Sequence, residues 1–313
     1  MTEINNPHDR GYKTLLASEE IFLELLQSFV DMGWVSQIAP DALTKMDTTY
    51  ILQDFTEKEA DLVYRLKLQD QEIIFYILLE LQSTVDFQMP YRLLTYMTGI
   101  WRDVLRNTDP KEAERKDFRL PSIVPIVLYN SAERWTACRN FKDTLAASEL
   151  FGEYVIDFQY LLIDVNRYEK QTLTALDNFI GSVFKIDQAV SPKEYRARLL
   201  EIGPTLKKFD TQKFHLFVSW LKMVLNASKL PEETKRELTN ILEEARPGEA
   251  EKMVTNMEQT LGRMYEEGLI AGMEQAARKM LAKNMSEDLI AEVTGLTLDQ
   301  IKRLKSEIAG ETH

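Results

Sequence analysis

The sequence predicts a mixed α/β fold, with helices packed against a mixed sheet and an α-helical C-terminal region after it. Three observations carry this. Residues 61–68 (DLVYRLKL) and 73–83 (IIFYILLELQS) are rich in β-branched and aromatic residues and are separated by a short polar QDQE. Two apolar runs, SIVPIVLYN at 122–130 and QYLLIDV at 159–165, read as buried strands. After about residue 170 strand signals stop and helical periodicity takes over.

The first forty residues read as a helix, with Ile21, Phe22, Leu25, Leu26 and Phe29 at helical spacing behind a possible Ser18 cap. The two strand-like runs then form a hairpin. Helical spacing returns over 89–105 through Met89, Leu93, Met97, Ile100, Trp101 and Val104, and the charged DPKEAERKD after it reads as a surface loop. The order helix, hairpin, helix, strand, strand indicates a mixed sheet flanked by helices. Further helices are expected at roughly 171–185, 193–201, 211–227, 232–245 and 249–283, broken at Pro192, Gly203-Pro204, Pro231 and Pro247-Gly248. Gly262, Gly268 and Gly272 each weaken an isolated helix by about 1 kcal/mol relative to Ala, so the last of these is expected to pack closely, including between two copies of the chain. The expected organisation is a sheet-containing domain over 1–190, a helical region over 191–283 and a small tail over 284–313.

With 313 residues, 44% of them hydrophobic, the chain has ample material for a core. One cysteine, Cys138, excludes an internal disulfide framework and multi-cysteine zinc sites, and reads as structural. No apolar stretch approaches the roughly 20 residues that span a membrane, and the start MTEINNPHDRGYK lacks the form of a signal peptide, so no membrane partner and a cytoplasmic location are expected. A net charge of -12 argues against coating nucleic acid through bulk electrostatics. Residues 193–229 nevertheless concentrate Lys193, Arg196, Arg198, Lys207, Lys208, Lys213, Lys222 and Lys229, which form either a basic surface or a solvated helix face.

A hairpin turning symmetrically about QDQE sets Leu68 opposite Ile73 and Asp61 opposite Glu80. Alternation then puts Glu59, Asp61, Glu80 and Gln82 on one face and an apolar set on the other: Leu62, Tyr64, Leu66 and Leu68 against Leu79, Ile77, Phe75 and Ile73. Two facing carboxylates repel. A hard divalent cation such as Mg²⁺ would resolve the conflict through oxygen ligands and join substrate phosphates, which implies phosphodiester hydrolysis. The alternative is that both are solvated residues at the open end of a hairpin. Against it, a glutamate and a glutamine inside so apolar a run as ILLELQS need polar partners.

The chain also resembles the Rpn family of recombination-promoting nucleases and YhgA-like transposases, a branch of the PD-(D/E)XK nuclease superfamily. The resemblance covers about residues 7–190 and rests on HDRGYK, EADLVYRL, LLELQST, DFQMPYRLLTYM and LPSIVPIVLYN in that order. It implies a PD-(D/E)XK restriction-endonuclease-like sheet and a DNA substrate cut with Mg²⁺ or Mn²⁺. Asp61, Glu80 and the Leu81 carbonyl would be metal ligands, with Gln82 where the superfamily usually has lysine. Gln82 can position a water but supplies no positive charge. Ala60 stands where the superfamily name leads one to expect proline.

Other residues carry paired readings. His8, Asp9 and Lys13 either bring a base or phosphate-binding lysine to the site or, for Asp9, simply cap a helix. Gln88 and Arg92 either meet a phosphate at a helix start or, for Arg92, pair with Asp86. Tyr129 and Asn130 end a strand on the side where α/β sheets hold sites, although turn chemistry also explains Asn130. His215 reads as a packed core residue. Residues 286–304 suggest a small helix-turn-helix cored by Ile290, Val293, Leu296, Ile301 and Leu304. It could offer Gln300, Lys302 and Arg303 to DNA or serve protein contacts.

Overall fold

A computed structural model describes residues 7–46, 62–68, 71–80 and 85–310. The first helical stretch is two helices, α1 (Pro7–Leu16) and α2 (Glu19–Phe29), with Ser18 as the α2 N-cap. The strands are β1 (Leu43–Lys45), β2 (Leu62–Leu68), β3 (Gln71–Glu80), β4 (Ser122–Tyr129) and β5 (Leu161–Asp164). Between β3 and β4 lie α3 (Met89–Asn107) and the short α4 (Pro110–Ala113), and between β4 and β5 lies the short α5 (Ser148–Phe151). The rest is helical: α6 (Lys170–Leu176), α7 (Phe179–Asp187), α8 (Pro192–Leu206), α9 (Thr211–Ala227), α10 (Glu232–Glu244), α11 (Ala250–Ala282), α12 (Glu287–Thr294) and α13 (Leu298–Gly310).

The strands form one sheet in the order β1-β2-β3-β4-β5. The first two pairings are antiparallel and the last two parallel. A parallel neighbour requires a crossover, and α3 supplies it between β3 and β4. The expected mixed α/β architecture with a helical C-terminal region is therefore present; β1, too short to give a sequence signal, adds an edge strand.

Both faces of the sheet are covered. On one, Leu62, Tyr64, Leu66, Ile126, Leu128 and Ile163 pack in a large cluster with α1, α2 and α7. Tyr64 stacks on Phe22 with centroids 4.2 Å apart, and its hydroxyl donates to the Leu16 carbonyl. On the other, Val63 and Val127 pack beneath Met89, Leu93, Tyr96 and Ile100 of α3. The large cluster continues through Tyr195, Phe217, Trp220, Met253, Met257 and Leu261, so α8 to α11 share the apolar core of the sheet. Glycine permits one of these contacts: a Cβ on Gly11 of α1 would stand 3.0 Å from the Trp220 ring.

Hairpin register departs from the symmetric expectation. Leu68 faces Gln71, Tyr64 faces Phe75 and Leu62 faces Ile77. The ladder is thus slipped by two residues relative to a Leu68–Ile73 pairing. A slip of two keeps every side chain on its own face, so the apolar pattern fits both registers equally and cannot choose between them.

Other boundaries differ for local reasons. The helix expected over 171–185 divides at Asp177, which is left-handed at φ 43°, and Asn178 caps the new helix through a hydrogen bond from the Gly181 N–H. Pro204 does not end α8, which runs on to Leu206 with the proline inside its last turn. His215 is exposed on α9 rather than packed in the core, and Cys138 is exposed. In the tail, Ile290, Leu296, Ile301 and Leu304 form a separate cluster with Ala277, whereas Val293 is exposed. Of the three α11 glycines, Gly262 lies against Arg196, and Gly268 and Gly272 face open space.

Candidate active site

The carboxyl ends of β3, β4 and β5 lie together. Parallel register sets Glu80 beside Tyr129 and Tyr129 beside Asp164. Because α3 returns the chain from β3 to β4, its first turn also lies at this end of the sheet, and its far end reaches the start of β4, where the Trp101 indole donates to the Pro121 carbonyl at 2.9 Å. Glu80 ends β3 at this rim.

Of the residues singled out in the sequence, Glu59, Asp61, Leu81 and Gln82 lie outside the described residues, as does the facing of Asp61 with Glu80. His8 and Asp9 fall in the first turn of α1, and Lys13, half-buried, follows one turn later. Gln88 is the N-cap of α3. Asp86 organises this start: one carboxylate oxygen accepts from the Gln88 N–H at 2.8 Å and the other pairs with Arg92. The ion-pair reading of Arg92 is thus present in the structure. Among the described residues no group of three or more histidine, cysteine or acidic side chains converges as a metal site.

Tyr129 is fully buried, with its ring edge-on to Trp135 at 4.9 Å, so direct contact with DNA is closed to it. Its neighbour Asn130 is more than a turn residue. The Asn130 amide donates to Asp187, whose carboxylate also accepts from the Tyr12 hydroxyl at 2.7 Å. Asn166 in turn donates to Asn130 at 2.6 Å and to the Ser131 carbonyl at 3.1 Å. This chain of polar groups ties α1, the end of β4, the loop after β5 and the end of α7 into one frame behind the rim. Burial raises the Tyr12 phenol well above its ordinary value, and the Asp187 charge adds to the effect.

Asp164 holds the neighbouring loop. Backbone N–H groups of Asn166 and Trp135 donate to its carboxylate, and Arg167 stands 3.6 Å away. Burial nonetheless prevails and raises its pKa. Trp135 is fixed from its other side, its indole donating to the Tyr160 hydroxyl at 2.8 Å, which donates to the Cys138 carbonyl at 2.9 Å. Burial pushes the Tyr160 phenol up to about 12.

Tyr12, Asp164, Asn166 and Asp187 did not stand out in the sequence. Asp164 carried a usable signal, a carboxylate closing an apolar strand. Asp187 carried none, because its partner Tyr12 is 175 positions away. The basic concentration over 193–229 does not make a basic surface: Arg196, Lys207, Lys208, Lys213 and Lys222 pair with Glu258, Glu251, Asp177, Glu20 and Glu243. In the tail, Arg303 pairs with Glu274 and Lys305 with Glu287, which lowers the charge available to DNA.

A protein-family model described as "Putative transposase, YhgA-like" matches residues 6–215, from the start of the described chain into α9. The chain belongs to this family. Among curated proteins it is similar to the recombination-promoting nuclease RpnD of Escherichia coli O157:H7, at 19% identity over 47% of this chain and 56% of that protein. It is also similar to the inactive recombination-promoting nuclease-like protein RpnE of Escherichia coli strain K12, at 22% identity over 53% of each chain. The chain thus spans about half the length of these curated relatives. No solved structure matches it. No helix among the described residues is long and apolar enough to cross a membrane.

Proposed function

We propose that this YhgA-like transposase family member is a metal-dependent DNA endonuclease of the PD-(D/E)XK kind, acting in the cytoplasm in recombination or movement of genetic elements. The observation that carries the reading is Glu80 at the carboxyl end of the central parallel strand β3, followed by Leu81 and Gln82 as an E-x-Q element. Family membership and the similarity to RpnD support it.

In this reading the carboxylates of Asp61 and Glu80 and the carbonyl of Leu81 would hold Mg²⁺ or Mn²⁺, since hard oxygen donors suit such an ion. Bound there, the ion would lower the pKa of a water and stabilise charge on a phosphate. Gln82 orients the attacking water by hydrogen bonding, without the charge a lysine would bring. Glu59, His8, Asp9, Lys13 and Gln88 flank the site as supporting or DNA-contacting groups, while Tyr129 and Arg92 hold its frame. The proposed division is a nuclease unit over 1–190, a helical region over 191–283 and a tail over 284–313, with self-association of two copies through the C-terminal helices.

The experiment is cleavage of supercoiled plasmid with Mg²⁺ or Mn²⁺ by the full chain and by folded Asp61→Ala, Glu80→Ala and Gln82→Ala. Nicking that needs metal and is lost in the first two variants is the expected result. Equal cutting by all of them would reveal a contaminant.

A second reading has specific support. RpnE is an inactive relative, Gln82 replaces the usual lysine, and the net charge is -12. A DNA-binding or assembly protein that has lost efficient cutting would bind DNA in a salt-sensitive way yet leave the plasmid intact.

A further inference from the structure

The outward face of α3 combines exposed aromatic rings with exposed arginines. The exposed residues between positions 85 and 107 are Phe87, Gln88, Tyr91, Thr98, Arg102, Leu105, Arg106 and Asn107, without a carboxylate among them. Asp86 is half-buried in its pair with Arg92, and Asp103 is half-buried on the helix flank. At the rim of the candidate site two aromatic rings stand open, Phe87 at 68% and Tyr91 at 63% exposure. Farther along, Thr98, Trp101, Arg102, Leu105 and Arg106 line a shallow depression. Trp101 is fixed there by its hydrogen bond to Pro121.

We infer that this face is a track for a single-stranded segment of DNA, with Phe87 and Tyr91 stacking unpaired bases beside the candidate site and Arg102 and Arg106 receiving phosphates farther along. The inference rests on the nuclease reading for its choice of DNA. Every unpaired base offers a π-face to an exposed ring, whereas the bases of a duplex are hidden in the stack, and arginines complete such surfaces by following the backbone. The charge is complementary: in a chain of net charge -12, two exposed arginines stand on a helix face whose described exposed residues include no carboxylate, an arrangement that can meet a polyanion. Length also fits: from Tyr91 to Arg106 the helix rises about 22 Å, enough to lie along several nucleotides of one strand.

The test is fluorescence anisotropy with a labelled single strand of about 15 nucleotides, in EDTA so that binding is separated from cutting. The proteins are the full chain, Phe87→Ser with Tyr91→Ser, Arg102→Gln with Arg106→Gln, and Lys252→Gln with Lys279→Gln on α11 as a remote charge control. All altered side chains except the control's lie on the exposed face, and each variant is accepted only if its thermal unfolding matches the parent. The aromatic double variant is expected to bind about tenfold or more weakly. The arginine double variant should lose about 0.7 from its salt slope for each phosphate contact removed, and the control should bind like the parent. Parental affinity in both track variants, or a parent that binds no single strand, overturns the track. An equal loss on a blunt duplex overturns its assignment to single strands. If the parent cuts plasmid while track variants bind normally, the track falls and the nuclease reading stands; if variants lose binding in a parent that cuts nothing, the reverse holds.

Discussion

The Tyr12 hydroxyl donates to the Asp187 carboxylate at 2.7 Å, joining the first helix described to the last residue of α7 across 175 positions. Tyr12 is fully buried and Asp187 also receives the Asn130 amide, so this contact locks α1 against the carboxyl end of β4. Tyr12→Phe keeps the ring packing against Phe184 and Trp220 and removes only the donor. The expected loss is about 1–3 kcal/mol of stability, read as a lower denaturation midpoint. Asn130→Ala should reduce stability similarly, and the double variant should lose less than the sum, because both donors serve one carboxylate.

Glu24 links α2 to the start of α7 by accepting the Ile180 N–H at 2.7 Å, and it lies 3.6 Å from Lys213. Glu24→Gln can keep the hydrogen bond through its amide oxygen, whereas Glu24→Ala leaves a buried N–H without it. The alanine variant is expected to be less stable than the glutamine variant by about 1–3 kcal/mol in chemical denaturation.

The pKa of Glu24 is raised, burial outweighing the Ile180 N–H and Lys213. A carboxyl with a raised folded-state pKa holds its proton more tightly when folded, so its stabilising influence is present at low pH and is lost as pH rises from the ordinary carboxylate value through the raised one. Asp164 is raised in the same direction by burial, against the opposing pull of Arg167. Melting temperatures measured across the acid range should therefore move in favour of Asp164→Asn, relative to the parent, as pH rises through that window. A gap that stays constant with pH would contradict the direction of the shift.

Gly268 and Gly272 lie inside α11 with open space where a Cβ would go, and residues 265–272 are all exposed. Replacing each by Ala should stabilise an isolated chain by about 0.4–1 kcal/mol by reducing the freedom of the unfolded state. Thermal unfolding and sedimentation on the same samples check this. Higher stability with unchanged mass leaves the glycines outside any self-association. Weaker self-association in the alanine variants would put them within the contact between copies.

Several features were legible in the residues because they are local. Alternation marked β2 and β3 and assigned Leu62, Tyr64 and Leu66 to a buried face; continuous apolarity marked β4 and β5; proline, glycine and cap residues placed α9, α10 and α11 nearly to their ends. The blocks carrying the family resemblance were equally readable, since they are short runs of sequence. Hairpin register was not. A two-residue slip leaves each side chain on its face, so only the turn and the neighbouring strands could set Leu68 opposite Gln71.

The sequence by itself determined element types, the apolar faces and the residues that nominate a site, because those follow from periodicity and side-chain chemistry along the chain. Tertiary structure decided which distant groups meet. It brought Asp164 level with Tyr129 and Glu80, joined Tyr12, Asn130 and Asp187, and spent the basic residues of 193–229 in ion pairs instead of leaving a basic surface. It also turned the arginines and open rings of α3 outward on one face. The physical reason is that such pairings depend on helices and strands packing across many residues, where burial and hydrogen-bond satisfaction select one arrangement among several that the local pattern permits.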